Sequence, residues 1–290
     1  METTVPSNSD LAATVRRRST FGNWPWWALV LAAAGMGLMY LIFSSVDYRE
    51  TFTFLLPGVV ATLRMTIIGF PIATVIGLIV GLGRTSKNPV FLNLATLYVE
   101  TVRGIPLIVI ILYFAFGLVP LGIELTNKLG LWGLTWAEGT IFFGLFTNLS
   151  VYSIRNISME MRAIIALAVG YGAFEAEVFR AGIQSIGKGQ MEAARSLGMT
   201  YIQAMRYIIL PQAIRRVLPP LGNDFIALLK DSSLATVLAV NELTQLGRVR
   251  RASTFRYLET FNVVAFLYLA MTLLLSAGVR GLERWLKYED

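Results

Sequence analysis

Residues Gln190–Pro211 read QMEAARSLGMTYIQAMRYIILP, and the rest of the chain is best read outward from them. The segment from Gly187 to Arg206 is polar and amphipathic, Gly198 stands where a helix would end, and Pro211 marks entry into the next apolar run. Such a segment does not cross a bilayer, although the runs on either side of it do. An amphipathic helix in that place meets lipid headgroups or another protein. A lipid-lying helix sets bulky apolar residues against many lysines. Glu192, Ala193 and Ala194 instead form a small, mostly uncharged surface suited to a groove.

The whole chain agrees with that placement. Of its 290 residues 55% are hydrophobic and only 15% charged, with a mean hydropathy of +0.62, whereas a soluble chain needs roughly a quarter charged. The fold class is an all-α polytopic membrane protein. With no Cys and no His, disulfides, thiol nucleophiles, zinc-binding His pairs and imidazole bases are excluded, and no metal site or catalytic residue is expected. The net charge of +7 marks the cytoplasmic ends of spans rather than a nucleic-acid partner.

About six transmembrane helices follow. Residues 1–20 form a polar cytoplasmic tail ending in Arg16, Arg17 and Arg18, and residues 21–46 form an uncharged first span too long for a signal peptide. The second, about 54–83, carries Ala73, Gly77 and Gly81 at four-residue spacing, which lets another helix approach closely. Arg84 and Lys87 put its end inside, so 44–53 is an external connection. The third, about 93–118, holds Glu100, Arg103 and Pro106 and should kink at the proline. Residues 119–162 read as an external insertion with an interfacial piece, because the apolar patch 140–149 is too short to span. Trp132 and Trp136 suit the headgroup boundary.

A fourth span covers about 163–186 and a fifth about 207–240. In the fifth, Pro219, Pro220 and Gly222 predict unwound backbone of the kind that builds transporter sites. The last, 260–279, ends in Arg280, Arg284 and Lys287, leaving both termini inside. Arg248, Arg250, Arg251 and Arg256 then fall outside, so either they meet an acidic surface or the fifth span is misplaced.

Glu175 and Glu177 lie near the bilayer middle, where charges are costly and functional by default. Glu177 and Arg180 are spaced to form a structural ion pair. Glu175 points elsewhere on the helix and is a candidate for the substrate path, together with Asn223, Asp224 and Lys230. Either Lys230 meets a carboxylate, or Lys230 and Asp231 pair with each other or with a neighbouring helix. The stretch GIQSIGKG, 182–189, approaches a phosphate loop but has Gly189 where the magnesium-binding hydroxyl belongs, so nucleotide binding by this chain is not expected.

With these residues in view the chain resembles the permease subunit of a bacterial polar-amino-acid ABC importer, of the histidine, glutamine and arginine type. Glu192, Ala193, Ala194, Gly198, Ile208, Leu210 and Pro211 fill that family's hallmark. YVETVRGIP (98–106), AEVFRAGIQSIGKGQ (176–190) and LPPLGNDFIALLKDSSL (218–234) match its amino-acid branch. The resemblance covers about 55–118 and 160–285.

It implies a five-helix type I importer core in two parts, 54–118 and 163–287, plus an extra N-terminal helix. It also implies alternating access in a dimer with a like or unlike permease, two ATPase subunits carrying ATP and Mg, an external amino-acid-binding protein and the bacterial inner membrane. Residues 190–199 then form the coupling helix, with Gln190, Glu192, Ala193, Ala194 and Gly198 facing the ATPase. The branch often has Tyr where Phe174 stands, and the insertion has no counterpart. An ion-coupled secondary amino-acid transporter is the alternative; it would show related halves, which are not found. A membrane enzyme is disfavoured, since the acids have bases to pair with.

Overall fold

The computed structural model describes residues 26–287; the tail with Arg16–Arg18 and the first residues of the expected 21–46 span lie outside them. The chain divides into two compact units, at Arg49 and Glu50. The first holds helix α1, Trp26–Ser44. It is apolar all round and almost wholly exposed, with Ile42 its buried residue, which makes lipid its natural surroundings.

Helix α2, Val46–Arg84, begins eight residues before the expected second span. Residues 46–53 are therefore helical and no loop separates 44 from 54, since Asp47 in the first turn complements the helix dipole. Its small residues meet helix α7, Met159–Gln184. A Cβ on Gly77 would come within 2.7 Å of Glu175 Cβ, and one on Gly81 within 2.8 Å of Phe179 Cβ. Helix α7 starts on Ser158, whose hydroxyl accepts from Met161 N–H, and Glu160 in its first turn takes both arms of Arg64 at 2.6 and 2.7 Å.

The third span departs from expectation at both ends. Helix α3, Pro89–Gly104, is capped by Asn88 and stops outright, with Ile105 extended, because the residue before a proline is pushed out of the α region. Helix α4, Leu107–Tyr113, then runs through a π turn, Phe114–Leu118, into α5, Val119–Ala137. These 31 residues from Leu107 to Ala137 form one apolar run long enough to cross a membrane, so 119 is no boundary between span and insertion. In the π pattern Pro120 would leave the Ala115 carbonyl without its donor. The buried Arg162 supplies one from Nη1 at 3.2 Å, and also donates to Ile157 O and Ile154 O. Helix α6, Phe143–Ser150, folds back on α5, with Gly130 against the backbone of Ser150 and Gly133 against the Phe146 ring.

Helix α8, Lys188–Ser196, and α9, Tyr201–Ala204, lead through a second π turn, Met205–Ile209, into α10, Leu210–Asp231. The expected unwinding at Pro219–Gly222 is absent: α10 is helical throughout. Proline φ fits a helix, so the cost is the lost amide bonds, and Gly222 serves close packing, with Val279 2.6 Å from an added Cβ. Irregular backbone comes later, in the 3-10 turns Ser232–Leu238 and at Ala239, where φ reaches 55°.

Helix α11, Leu243–Thr254, follows, capped by the fully buried Glu242, which accepts from Thr244 N–H at 2.8 Å, Gln245 N–H at 2.7 Å and Tyr268 Oη at 3.0 Å. The basic cluster lies on and just beyond this helix rather than on a long loop. Arg250 pairs within the chain with Glu50 at 3.0 Å and lies over Phe54. Helix α12, Tyr257–Lys287, packs against α10 and α11. Four stretches are long and apolar enough to span: Trp26–Ser44, Val46–Arg84, Leu107–Ala137 and Tyr257–Gly281.

Gly77→Val should cost about 1–3 kcal/mol by overpacking and lower the melting temperature of the detergent-solubilised protein, whereas Gly122→Ala, with open space around its Cβ, should leave it within a degree or two.

Candidate functional site

Helix α8 ends in a Schellman arrangement: Met199 N–H donates to Ala194 O at 3.1 Å and Gly198 N–H to Arg195 O at 3.0 Å. Gly198 sits at φ +81°, where any side chain is strained. Thr200 then starts the next turn in a reciprocal cap with Gln203. The turn is fastened to the core through Met191, Met205 and Ile208, packed on Ile186, Ile209 and Ala213.

Gln190, Glu192 and Ala193 are exposed, but Ala194 is 3% exposed and faces inward. The outward small surface is therefore Ala193 without Ala194, because consecutive residues of a helix lie 100° apart. Leu197, four residues on from Ala193, is 84% exposed and Ile202 75%. Leu197 is thus the apolar part of the outward face of α8, Ile202 is a second exposed apolar side chain on α9, and only the exposure of large apolar side chains reveals them.

A crevice of about 560 Å³ opens between α3, α7 and α10. Arg103, Phe174, Glu177, Val178, Arg216 and Asp224 contribute to its wall. Glu177 is spoken for. Arg180 grips it through Nε and Nη2, and Arg84 Nη1 reaches it at 2.9 Å while Nη2 of the same side chain touches Glu100 at 3.4 Å. Arg180 also donates to Gln184. Arg103 instead lies over the Phe174 ring, 5.6 Å from its centroid. Arg216 donates to Ser185 O at the crevice's other end.

Of the expected path residues only Asp224 lines this crevice. Its Oδ2 is buried without a hydrogen-bond partner, and the buried carboxyl of Glu175 has only the Thr74 hydroxyl near it as a donor, which donates to Phe70 O. Glu175 itself is fully buried behind the wall, close enough to Asp224, Tyr171 and Tyr98 for its charge to be felt by each. It is therefore not an exposed lining residue: the glycine contact with α2 seals it in. Asn223 and Lys230 are exposed and lie seven residues apart on one face of α10, about 100° from Asp224. Lys230 does not take Asp231, whose carboxylate accepts from Tyr171 Oη at 2.8 Å.

The chain matches the family model described as the inner membrane component of binding-protein-dependent transport systems over residues 73–288. It belongs to that family. The probable glutamine ABC transporter permease protein GlnM of Bacillus subtilis is 37% identical over 82% of this chain and 95% of its own length. The glutamine transport system permease protein GlnP of Escherichia coli is 35% identical over 80% and 93%. The crystal structure of an amino acid ABC transporter with histidines superposes at a TM-score of 0.64, with 33% identity, covering 84% of this chain and 97% of the other.

This permease is thus a transport subunit, multi-pass and membrane-embedded, with the fold of type I importers. The hallmark residues fall into two groups by position. Gly198 and Ile208 hold the turn, whereas Glu192 and Ala193 face out. Arg103, Arg216 and Leu197 were not singled out from the sequence as site residues. Arg103 had signalled itself as a charge within an apolar run, but only contact with Phe174 places it on the crevice.

Gly198→Ala should destabilise the α8–α9 turn by about 1 kcal/mol, speeding amide exchange across 188–200 severalfold while exchange in α7 stays unchanged.

Proposed function

We propose that this permease is one of two membrane subunits of an ATP-driven importer for polar amino acids in a bacterial inner membrane. Two separate ATPase subunits carry ATP and Mg, and an external binding protein delivers the cargo. The amino-acid transporters to which the chain is similar over nearly their whole length support the cargo class. The reading keeps about six spans with both termini inside, α7 and α10 being counted with the four most apolar helices. Helix α6 and the turn up to α7 are then an outer addition to the core, beyond the span that ends at Ala137.

The observation that carries the reading is the α8 turn, closed by its hydrogen bonds at Gly198 and seated on the core. It presents Ala193 and Leu197 outward, on a face with a small residue at its centre and an apolar residue at its edge. ATP binding closes the nucleotide domains and draws the two α8 turns together. That swings α7 and α10, which the turn joins, toward the outward-open state. Gly182 lies inside helix α7 against Val217 rather than in a loop, which fits a chain that leaves nucleotide to its partners. An ion-coupled transporter would leave the α8 face without work.

Pull-down of the tagged permease from its native membranes should recover an ATPase subunit in near-equal amount, and the polar amino acids it carries should stimulate ATP hydrolysis in liposomes. Recovery of the permease alone, even after cross-linking, would overturn this. Ala193→Trp should abolish uptake and ATPase recovery with membrane insertion intact. Ala194→Trp should instead lower stability, because it inserts a large ring beneath the helix.

A further inference from the structure

Resting on the importer reading above, which puts the α8 turn in the cytoplasm, we propose that the α5–α6 hairpin docks on the outer leaflet of the membrane. The contact is made by Leu121, Leu125, Leu129, Trp132 and Trp136 on α5. Its partner is lipid at the boundary between headgroups and acyl chains, not another protein.

Helix α5 has three sides. On one, Gly130 lies against the backbone of Ser150 and Gly133 against the Phe146 ring, so α6 closes it. A second is polar, with Glu124 and Lys128 exposed and paired at 2.7 Å. The five large apolar residues follow one another at steps of four, four, three and four, which keeps them within about 80° around the helix axis. Each is at least half exposed, and Ile141, in the turn to α6, is almost wholly so. A continuous apolar stripe of that size marks a contact surface.

The base of the hairpin fixes its depth. Helix α7 runs inward from Ser158 to the α8 turn, and its 26 residues, about 39 Å long, exceed a hydrocarbon core of about 30 Å. Its first turn therefore lies at the outer boundary, where Glu160 meets Arg64 and where Arg162 Nη1 reaches Ala115 O at 3.2 Å. Helix α3 has by then used about 24 Å of the depth with its 16 residues, and α4 follows it. Helix α5 begins four residues past Ala115, and its 19 residues add about 28 Å more. The outer turns of the span that ends at Ala137 thus leave the core. A course along the membrane surface is the one that buries the stripe.

The side chains suit that layer. Trp132 and Trp136 meet edge to face at 5.8 Å, and Trp136 meets Phe146 at 5.1 Å. Tryptophan settles at the headgroup level because its ring is apolar while its N–H donates to lipid oxygens. The polar side carries a self-neutralised pair and so offers no net charge to steer a protein partner. Toward the core the exposed apolar surface goes on through Tyr113 and Phe116. The stripe therefore prolongs the surface that the span already turns to lipid.

Because the permease contains no cysteine, Leu125→Cys, Leu129→Cys and Lys128→Cys each place one nitroxide label on α5 in the liposome-reconstituted complex. Oxygen concentrates in the bilayer, whereas a nickel chelate stays in water. The ratio of oxygen to nickel collisions should be several times higher at the two stripe positions than at Lys128→Cys. Equal ratios overturn the proposal, and so does exclusion of both reagents from the stripe, which would mean that another protein surface covers it.

Brominated lipids give a second readout. Bromines near the headgroup end of the acyl chains should quench the fluorescence that the double variant Trp132→Phe, Trp136→Phe lacks more strongly than bromines at the chain ends. No quenching of that component by either lipid also overturns the proposal. If the unmodified permease recovers no ATPase subunit, the importer reading fails instead, while both lipid readouts still report where the hairpin lies.

Discussion

Helices α2 and α7 approach so closely at Gly77 and Gly81 that a single added carbon would strike Glu175 or Phe179. Without water in the bilayer to drive apolar surfaces together, helices gain from dispersion contact, which grows as backbones approach. The rest of the site depends on that contact. It removes Glu175 from every solvent path and brings Arg84, at the end of α2, to Glu177 on α7. Ala73 and the buried Thr62 and Thr66 extend the seam, which continues to Gly58 beside the start of α11.

From that seam the distribution of charge follows. A carboxylate in a low-dielectric interior needs a partner, and Glu177 has two arginines. Arg162, more deeply buried than Glu177, is satisfied by three backbone carbonyls around the π turn and the 3-10 turn. Glu242 spends its carboxylate on the amides that start α11. Against these fully employed ions, the orphan oxygens of Glu175 and Asp224 stand apart. The structure therefore separates ions satisfied within the fold from carboxyl oxygens that the described residues leave unsatisfied.

Much of this was legible from residue order. The Ala73, Gly77, Gly81 spacing announced a close contact, the Glu177 and Arg180 spacing an ion pair, and Gly198 the end of an amphipathic helix. Each is a local statement, true of one helix whatever it packs against. The misreadings also share a cause. Pro219 and Pro220 look like breakers, but tertiary packing holds α10 straight through them, whereas Pro106 does end its helix because Ile105 is free to extend. The boundary at 119 failed because Arg162, more than forty residues away, restores the carbonyl contact that Pro120 removes. Ala194 is buried although its neighbours Glu192 and Ala193 are exposed, because composition does not give the azimuth of a short helix; only its seat on the core does.

The sequence by itself determined that the chain lives in a membrane and which short amphipathic segment separates two of its apolar helices, and it placed the last span to within a turn, though not the start of the second or the ends of the third. Those properties depend on hydropathy, length and helical spacing, which are sums over neighbouring residues. Only the tertiary structure decided which charges remain unsatisfied. Arg103 comes from α3, Phe174 and Glu175 from α7, and Asp224 from α10, and whether an ion is paired depends on what other helices bring within about 4 Å. That distance is set by packing between segments far apart in the chain.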